Sequence, residues 1–273
     1  DVFRTTGDSL MGRYLPYHIH PLSVRELLDS TLPEKEIRLP IRIDPKLFQD
    51  LIRYGGFPNP LLKQDSRFYN RWIKLRSEQL FQDDIRDITR IQDIAQLKLL
   101  SRILKQQVGQ LLNHASLAKK VRVTIDTIQS WINTLSGFYY CFLISPWSRN
   151  ITRSLIKSPK LYLWDWSEVS EIGAKNENMV ACHLKKAVDY WNDTGIGNYE
   201  LYFIRDREKN EVDFLVTKDT KPWFLVEVKS SDLSVNKSLY RFQEQTGAAH
   251  AFQVVFDLEY AEKDCFEYTR PII

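Results

Sequence analysis

Two apolar stretches near the end of the chain carry charges where a buried strand should be uniformly hydrophobic. They are Glu211-Val212-Asp213-Phe214-Leu215 and Leu225-Val226-Glu227-Val228-Lys229. Their β-branched and aromatic content reads as strand, and in a strand alternate side chains share a face. Glu227 and Lys229 therefore point together, away from Phe224, Val226 and Val228, and Asp213 points away from Val212 and Phe214. If the two strands are neighbours, the three charges converge at one end of a sheet. Charges set among apolar residues are costly to bury unless they are paired or used.

One use is a divalent cation. A hard ion such as Mg²⁺ or Mn²⁺ takes oxygen ligands, commonly one or two carboxylates completed by water and substrate phosphate. Asp213 and Glu227 supply the carboxylates, and Glu177, on a helix one strand earlier, supplies another acid for the metal or its waters. Lys229 would orient the attacking water, whose pKa the metal lowers. The alternative is a buried ion network with no chemistry, although such pairs add little stability over apolar packing.

The elements around these strands read as an α/β unit over residues 151–273. Leu161–Trp164 is a strand, and Glu171–Trp191 is a helix burying Ile172, Val180, Leu184 and Val188. Strands follow over Glu200–Ile204, Val212–Val216 and Trp223–Val228, then a helix over Leu239–Gln245 and a strand over Ala251–Phe256. That order predicts a mixed sheet.

The preceding residues, 49–150, are helical in pattern. Gly55-Gly56-Phe57-Pro58-Asn59-Pro60 is a rigid turn, and Ile94, Leu97, Leu100, Leu104, Val108 and Leu111 fall on helical spacing. Ser116–Val121 and Ile125–Ile132, joined at Val123-Thr124 and followed by a β-prone Phe138–Ile144, suggest a winged helix. Between Asp93 and Asp126 there is no acid, while Lys98, Arg102, Lys105, Lys119, Lys120 and Arg122 are all basic. Lys119, Lys120 and Arg122 are the candidate phosphate contacts; the alternative is docking on an acidic protein partner. Residues 1–48 are broken up by Pro33, Pro40 and Pro45, with a short helix starting at Ser23-Val24-Arg25-Glu26 and continuing through Leu27 and Leu28.

Composition narrows the setting. The 273 residues leave room for two or three compact units, and 43% hydrophobic with 27% charged residues is an ordinary globular balance. No apolar run approaches the roughly 20 residues of a membrane helix. Cys141, Cys182 and Cys265 are scattered, which suggests reduced thiols in a cytoplasmic protein. The net charge of +3 is too small to identify a partner. No GxxxxGK[ST] occurs, so these residues contain no phosphate-cradling P-loop.

Asp213, thirteen intervening residues and then Glu227-Val228-Lys229, with Glu177 upstream, resemble the signature of PD-(D/E)XK nucleases. The proline of the literal motif is absent, since Val212 precedes Asp213. The resemblance implies a restriction-endonuclease-like domain with Glu177, Asp213, Glu227 and Lys229 as catalytic residues, acting as a metal-dependent phosphodiesterase on nucleic acid, DNA ahead of RNA.

The chain as a whole resembles the C-terminal part of bacterial and archaeal AAA-type P-loop ATPases that end in a domain of unknown function. Thr6–Tyr14 and His20–Leu27 resemble the end of the ATPase domain, Gly55–Pro58 the linker turn, and Asn113–Trp131 the winged helix. This resemblance implies that residues 1–48 are a remnant of the ATPase domain, with Arg13 near nucleotide in the intact protein. ATP binding and self-association would then belong to the intact parent. An inactive nuclease fold with a winged helix, serving regulation, partner binding or oligomerisation, is the alternative implied.

Overall fold

The computed structural model describes residues 15–89, 91–148, 158–260 and 263–273. Arg13 and the Thr6–Tyr14 segment lie outside the described residues. The Ser23 N–H and hydroxyl both donate to Glu26 Oε2 at 2.8 Å, but the turn is entered at Val24 with no side-chain cap, so Ser23 does not take the expected capping position. The helix expected there shrinks to one 3₁₀ turn, Arg25–Leu27. The segment leading on to α1 then runs without a helix or strand, as the three prolines suggest.

The helical region begins with α1 (Pro45–Tyr54), capped by Asp44, whose Oδ1 accepts the Leu47 N–H. The Gly55-Gly56 turn leads into α2 (Pro58–Lys63), and α3 (Ser66–Glu78) passes through a π-helical turn at Gln79–Asp84 into α4 (Ile85–Ile88). Helix α5 (Ile94–Lys105) buries Leu97, Leu100 and Leu104 of the expected stripe, but it stops before Val108 and Leu111, and Leu111 is 38% exposed in a β-bridge. Helices α6 (His114–Val121) and α7 (Ile125–Gly137) are capped by Asn113 and Thr124. Between them Arg122 ends α6 in a left-handed conformation, φ 65°.

The sheet has six strands: β1 (Cys141–Pro146), β2 (Lys160–Leu163), β3 (Tyr199–Arg205), β4 (Glu211–Lys218), β5 (Lys221–Lys229) and β6 (His250–Val255), in the spatial order β2-β1-β3-β4-β5-β6. The meander β3-β4-β5 is antiparallel, and β6 returns parallel to β5. The β-prone segment after α7 does form a strand with an antiparallel partner, β1 with β2, and a single bridge ties Leu111 to Lys160 beside them. β1 also pairs in parallel with β3, so the sheet runs without a break from the helical region into the C-terminal unit.

Helix α8 (Ile172–Asp193) covers one face of the sheet and α9 (Lys237–Thr246) the other. The expected buried position of Ile172 is wrong: it is the first residue of α8 and is 68% exposed. The α8 face shares one continuous core with the helical region, joining Leu100, Ile128 and Trp131 to Tyr162, Phe203, Phe214 and Val226. Each such side chain contributes about 1.5–3 kcal/mol by leaving water. Under α9 a smaller core holds Val212, Leu215, Leu225, Leu239 and Phe242. Cys141 and Cys182 are buried free thiols, whereas Cys265 is half-buried. Among the described residues no helix is long and apolar enough to cross a membrane.

Candidate functional site

The expected charges meet where β4 and β5 part. Their ladder reaches the Phe214–Val226 pair, and one residue further on the Asp213 carboxylate takes the place of a backbone partner, its Oδ2 accepting the Val228 N–H at 2.8 Å. A bulge in β4 makes this possible. Tyr202 pairs with Leu215 but Ile204 with Val212, so Asp213 and Phe214 together oppose Phe203. A bulge bends its strand and re-aims a side chain.

Simple alternation, which predicts one shared face for Asp213, Glu227 and Lys229, is therefore corrected. Glu227 keeps the face of Leu225, on the α9 side, and its Oε1 accepts from Asn236 Nδ2 at 2.6 Å and Lys229 Nζ at 2.8 Å. Asp213 stands in the split between the strands instead. It is near enough to both flanking acids that burial first, then the charges of Glu177 and Glu227, push its carboxyl well above the usual range.

Glu227 is 5% exposed, and its Oε2 has no hydrogen-bond partner. A buried carboxylate oxygen without a donor is expensive. Lys229 is half-buried; burial works against its charge, but the hydrogen bond it donates to Glu227 and that acid's charge hold its pKa above the ordinary value.

Glu177 faces a different partner. Its Oε1 accepts from Tyr162 OH at 2.7 Å and from Lys160 Nζ at 3.1 Å. Its carboxylate lies over Gly109, which has φ 73° and where a Cβ would stand 3.0 Å from Oε2. The backbone of Gly109 is thus left-handed, and a Cβ there would crowd the Glu177 carboxylate. Lys160, at the start of β2, also reaches Glu211 Oε1 at 2.6 Å and Asp213 Oδ1 at 3.9 Å, and is only 3% exposed. Burial opposes its charge, yet Glu177, Asp213 and Glu211 together hold its pKa above the ordinary value. Lys160 is not among the site residues expected from the sequence. Its signal was a lysine opening an otherwise apolar strand, Lys160-Leu161-Tyr162-Leu163, with nothing in its spacing to tie it to residues 177–213.

Four carboxylates thus gather around the split: Glu177, Glu211, Asp213 and Glu227. They face Lys160, Lys229 and Arg205, the last holding Glu211 Oε2 at 2.9 Å, which leaves one negative charge in excess. Among the described residues no three His, Cys, Asp or Glu side chains are arranged as a metal cage. Two of the carboxylates stand out: Glu227 has an unpartnered buried oxygen, and Asp213 bears a charge its surroundings disfavour. The side chains of Asp213 and Glu177 keep 16% and 19% exposure, so the split is open to solvent.

The expected nucleic-acid contacts Lys119, Lys120 and Arg122 all lie exposed at the end of α6, and no ion pair engages them among the described residues. Lys105 is differently placed, bound to Glu168. The exposed positions of α7 carry no cation; they include Ile125, Asp126, Gln129, Ser130 and Asn133.

Comparison with known proteins divides the chain at α8. Residues 45–173 match a domain of unknown function (DUF8612) and residues 172–268 match another (DUF4143), a domain typically found C-terminal to AAA-ATPase domains. An uncharacterized protein of Methanocaldococcus jannaschii is 26% identical over 238 residues, covering 78% of this chain and 49% of the relative. An uncharacterized protein of Haemophilus influenzae is 27% identical over 135 residues, covering 48% of this chain and 32% of the relative. The match thus spans about half the length of the first relative and a third of the second. No solved structure matches.

Proposed function

We propose that this chain is the C-terminal accessory part of an AAA-type ATPase and that its sheet carries a nuclease-like site for one divalent cation, Mg²⁺ or Mn²⁺. The order α8-β3-β4-β5-α9-β6 and the Asp213, Glu227-x-Lys229 spacing support a PD-(D/E)XK-like unit. The helices α6 and α7, the β1–β2 pair and the Leu111 bridge have the order of a winged helix. In this reading Lys119, Lys120 and Arg122 contact the phosphates of DNA.

The observation that carries the reading is the orphaned Glu227 Oε2 beside Asp213. Asp213 and Glu227 would hold the ion, which would polarise a phosphate and lower the pKa of a bound water. Lys229, already bonded to Glu227, would donate to the water or phosphate and keep it aligned.

Calorimetric titration with MnCl₂ tests this. The wild-type chain should bind Mn²⁺, Asp213→Asn should lose that binding, and Lys229→Met should keep the ion but lose Mn²⁺-dependent cleavage of plasmid DNA. Absence of Mn²⁺ binding, or binding unaltered in Asp213→Asn, defeats the reading.

One observation favours a second reading. The cation-free face of α7 suits a protein partner better than a phosphate backbone, so the module would dock rather than cut. DNA affinity that is indifferent to salt and to loss of Lys119, Lys120 and Arg122 would favour it.

A further inference from the structure

We infer that Lys160 is a built-in second cation of this site. Its ammonium occupies the α8-side half of the carboxylate cluster, so the site accepts one free divalent ion and not two. The inference rests on the one-ion reading above and adds what fixes the number.

Asp213 is the hinge of the cluster. Its Oδ2 turns to the β5 backbone at Val228, next to Glu227, while its Oδ1 lies 3.9 Å from Lys160 Nζ. On the Lys160 side stand Glu177 Oε1 at 3.1 Å and Glu211 Oε1 at 2.6 Å. Carboxylates are the ligands a hard cation uses, and here three of them surround one point without being arranged as a metal cage. The point is already filled by an ammonium that is 3% exposed and cannot leave without exposing its buried stem. The other half is different: Glu227 keeps a bare buried oxygen.

The tether also joins the two matched parts of the chain. Lys160 and Tyr162 lie within residues 45–173, whereas Glu211, Asp213 and Glu227 lie within residues 172–268, as does Glu177. The bridge from Leu111 to Lys160 and the hydrogen bond from the Gly109 N–H to Leu161 O fix β2 against the end of the α5 region. The cluster is thus complete only when β2 is docked, and Lys160 acts as a positioning residue for Glu177 and Asp213.

Replacing Lys160 by methionine keeps the stem and removes the charge. From 2.6 Å for Glu211, 3.1 Å for Glu177 and 3.9 Å for Asp213, the carboxylates must then close by amounts from a few tenths of an ångström to more than an ångström to reach ligand distances of roughly 2.1–2.5 Å. Mn²⁺ titrations of the whole chain should therefore give one ion for wild type, one for Lys160→Arg and two for Lys160→Met, the added ion being lost again in Lys160→Met/Glu211→Gln. One ion in wild type and one in Lys160→Met would overturn the inference while leaving the one-ion reading intact. No ion in either would defeat that reading and the inference with it. None in wild type but one in Lys160→Met would mean that the lysine replaces the metal altogether, and two in wild type would mean that it excludes none; both overturn the inference. If Lys160→Met does not fold in chelator, its circular dichroism is followed as Mn²⁺ is added. Recovery of a cooperative melt supports a second ion in place of the ammonium, and failure to recover at saturating Mn²⁺ rejects it.

Discussion

Two buried ion clusters lie either side of β2, and they are built to different standards. The first joins the helical region to the turn after β2. There Asp165 is 2% exposed, its Oδ1 accepts from the Ser167 N–H and hydroxyl, and its Oδ2 accepts from Arg76 at 2.8 Å. Glu168 beside it is held by Lys105. Arg76 stacks over the Phe57 ring at 3.9 Å, and Trp166 Nε1 donates to Leu51 O. Both oxygens of its central carboxylate are taken, as a network that fixes register requires. The second cluster leaves Glu227 Oε2 bare and gathers more negative than positive charge. The first cluster is satisfied throughout its central carboxylate, whereas the second holds a buried oxygen without a donor, the difference on which the proposed ion site rests.

A glycine of the same kind serves each. Gly55, φ 76°, comes so close to Asp165 that a Cβ would stand 2.6 Å from Oδ1, and Gly109 makes the matching approach to Glu177. In both, a left-handed glycine lets backbone meet carboxylate where a side chain would block it.

The sharpest way to break the comparison is to remove one cation from the satisfied cluster. Arg76→Met strands the buried Asp165 charge and should cost about 3–5 kcal/mol in urea unfolding, with no recovery on adding Mn²⁺, because the freed Asp165 Oδ2 stays buried and the neighbouring Glu168 is still held by Lys105. Recovery would show that the two clusters do not differ in kind.

A smaller effect comes from pH. Burial, opposed by Arg76 and reinforced by Glu168, raises the Asp165 carboxyl from 3.8 to about 6. A carboxyl raised in the folded state stabilises the fold fully below about pH 4, and that contribution is lost as pH rises through about 6. The shift corresponds to roughly 3 kcal/mol at most. The stability of wild type relative to Asp165→Asn should therefore fall between pH 4 and pH 7, and a flat difference would remove Asp165 as a buried titrating group.

The smallest effect is expected where the second cluster is least satisfied. Glu227→Gln keeps an acceptor for Lys229 and Asn236 and removes one excess negative charge. It should change stability by no more than about 1 kcal/mol while abolishing Mn²⁺ binding. A loss as large as that of Arg76→Met would show Glu227 to be structural.

The fold was legible wherever local pattern and burial agree. The first part of the α5 stripe is written in nearby residues, and so is the succession of strands and helix from 199 to 255. Asp213, Glu227 and Lys229 could be found because a charge inside an apolar strand is visible without coordinates. Ile172 misled because helical spacing does not show where the chain enters the core.

What the sequence determined by itself, then, is most of the elements and the identity of the charged strand residues, since these depend on neighbours a few positions apart. Tertiary structure alone decided that β1 would tie the helical region into the sheet, that a bulge would turn Asp213 into the split between β4 and β5, and that Lys160 would arrive from another part of the chain to sit among Glu177, Glu211 and Asp213. A buried ion pair is set by distance in space, and the 53 residues separating Lys160 from Asp213 leave no periodicity for a sequence to display.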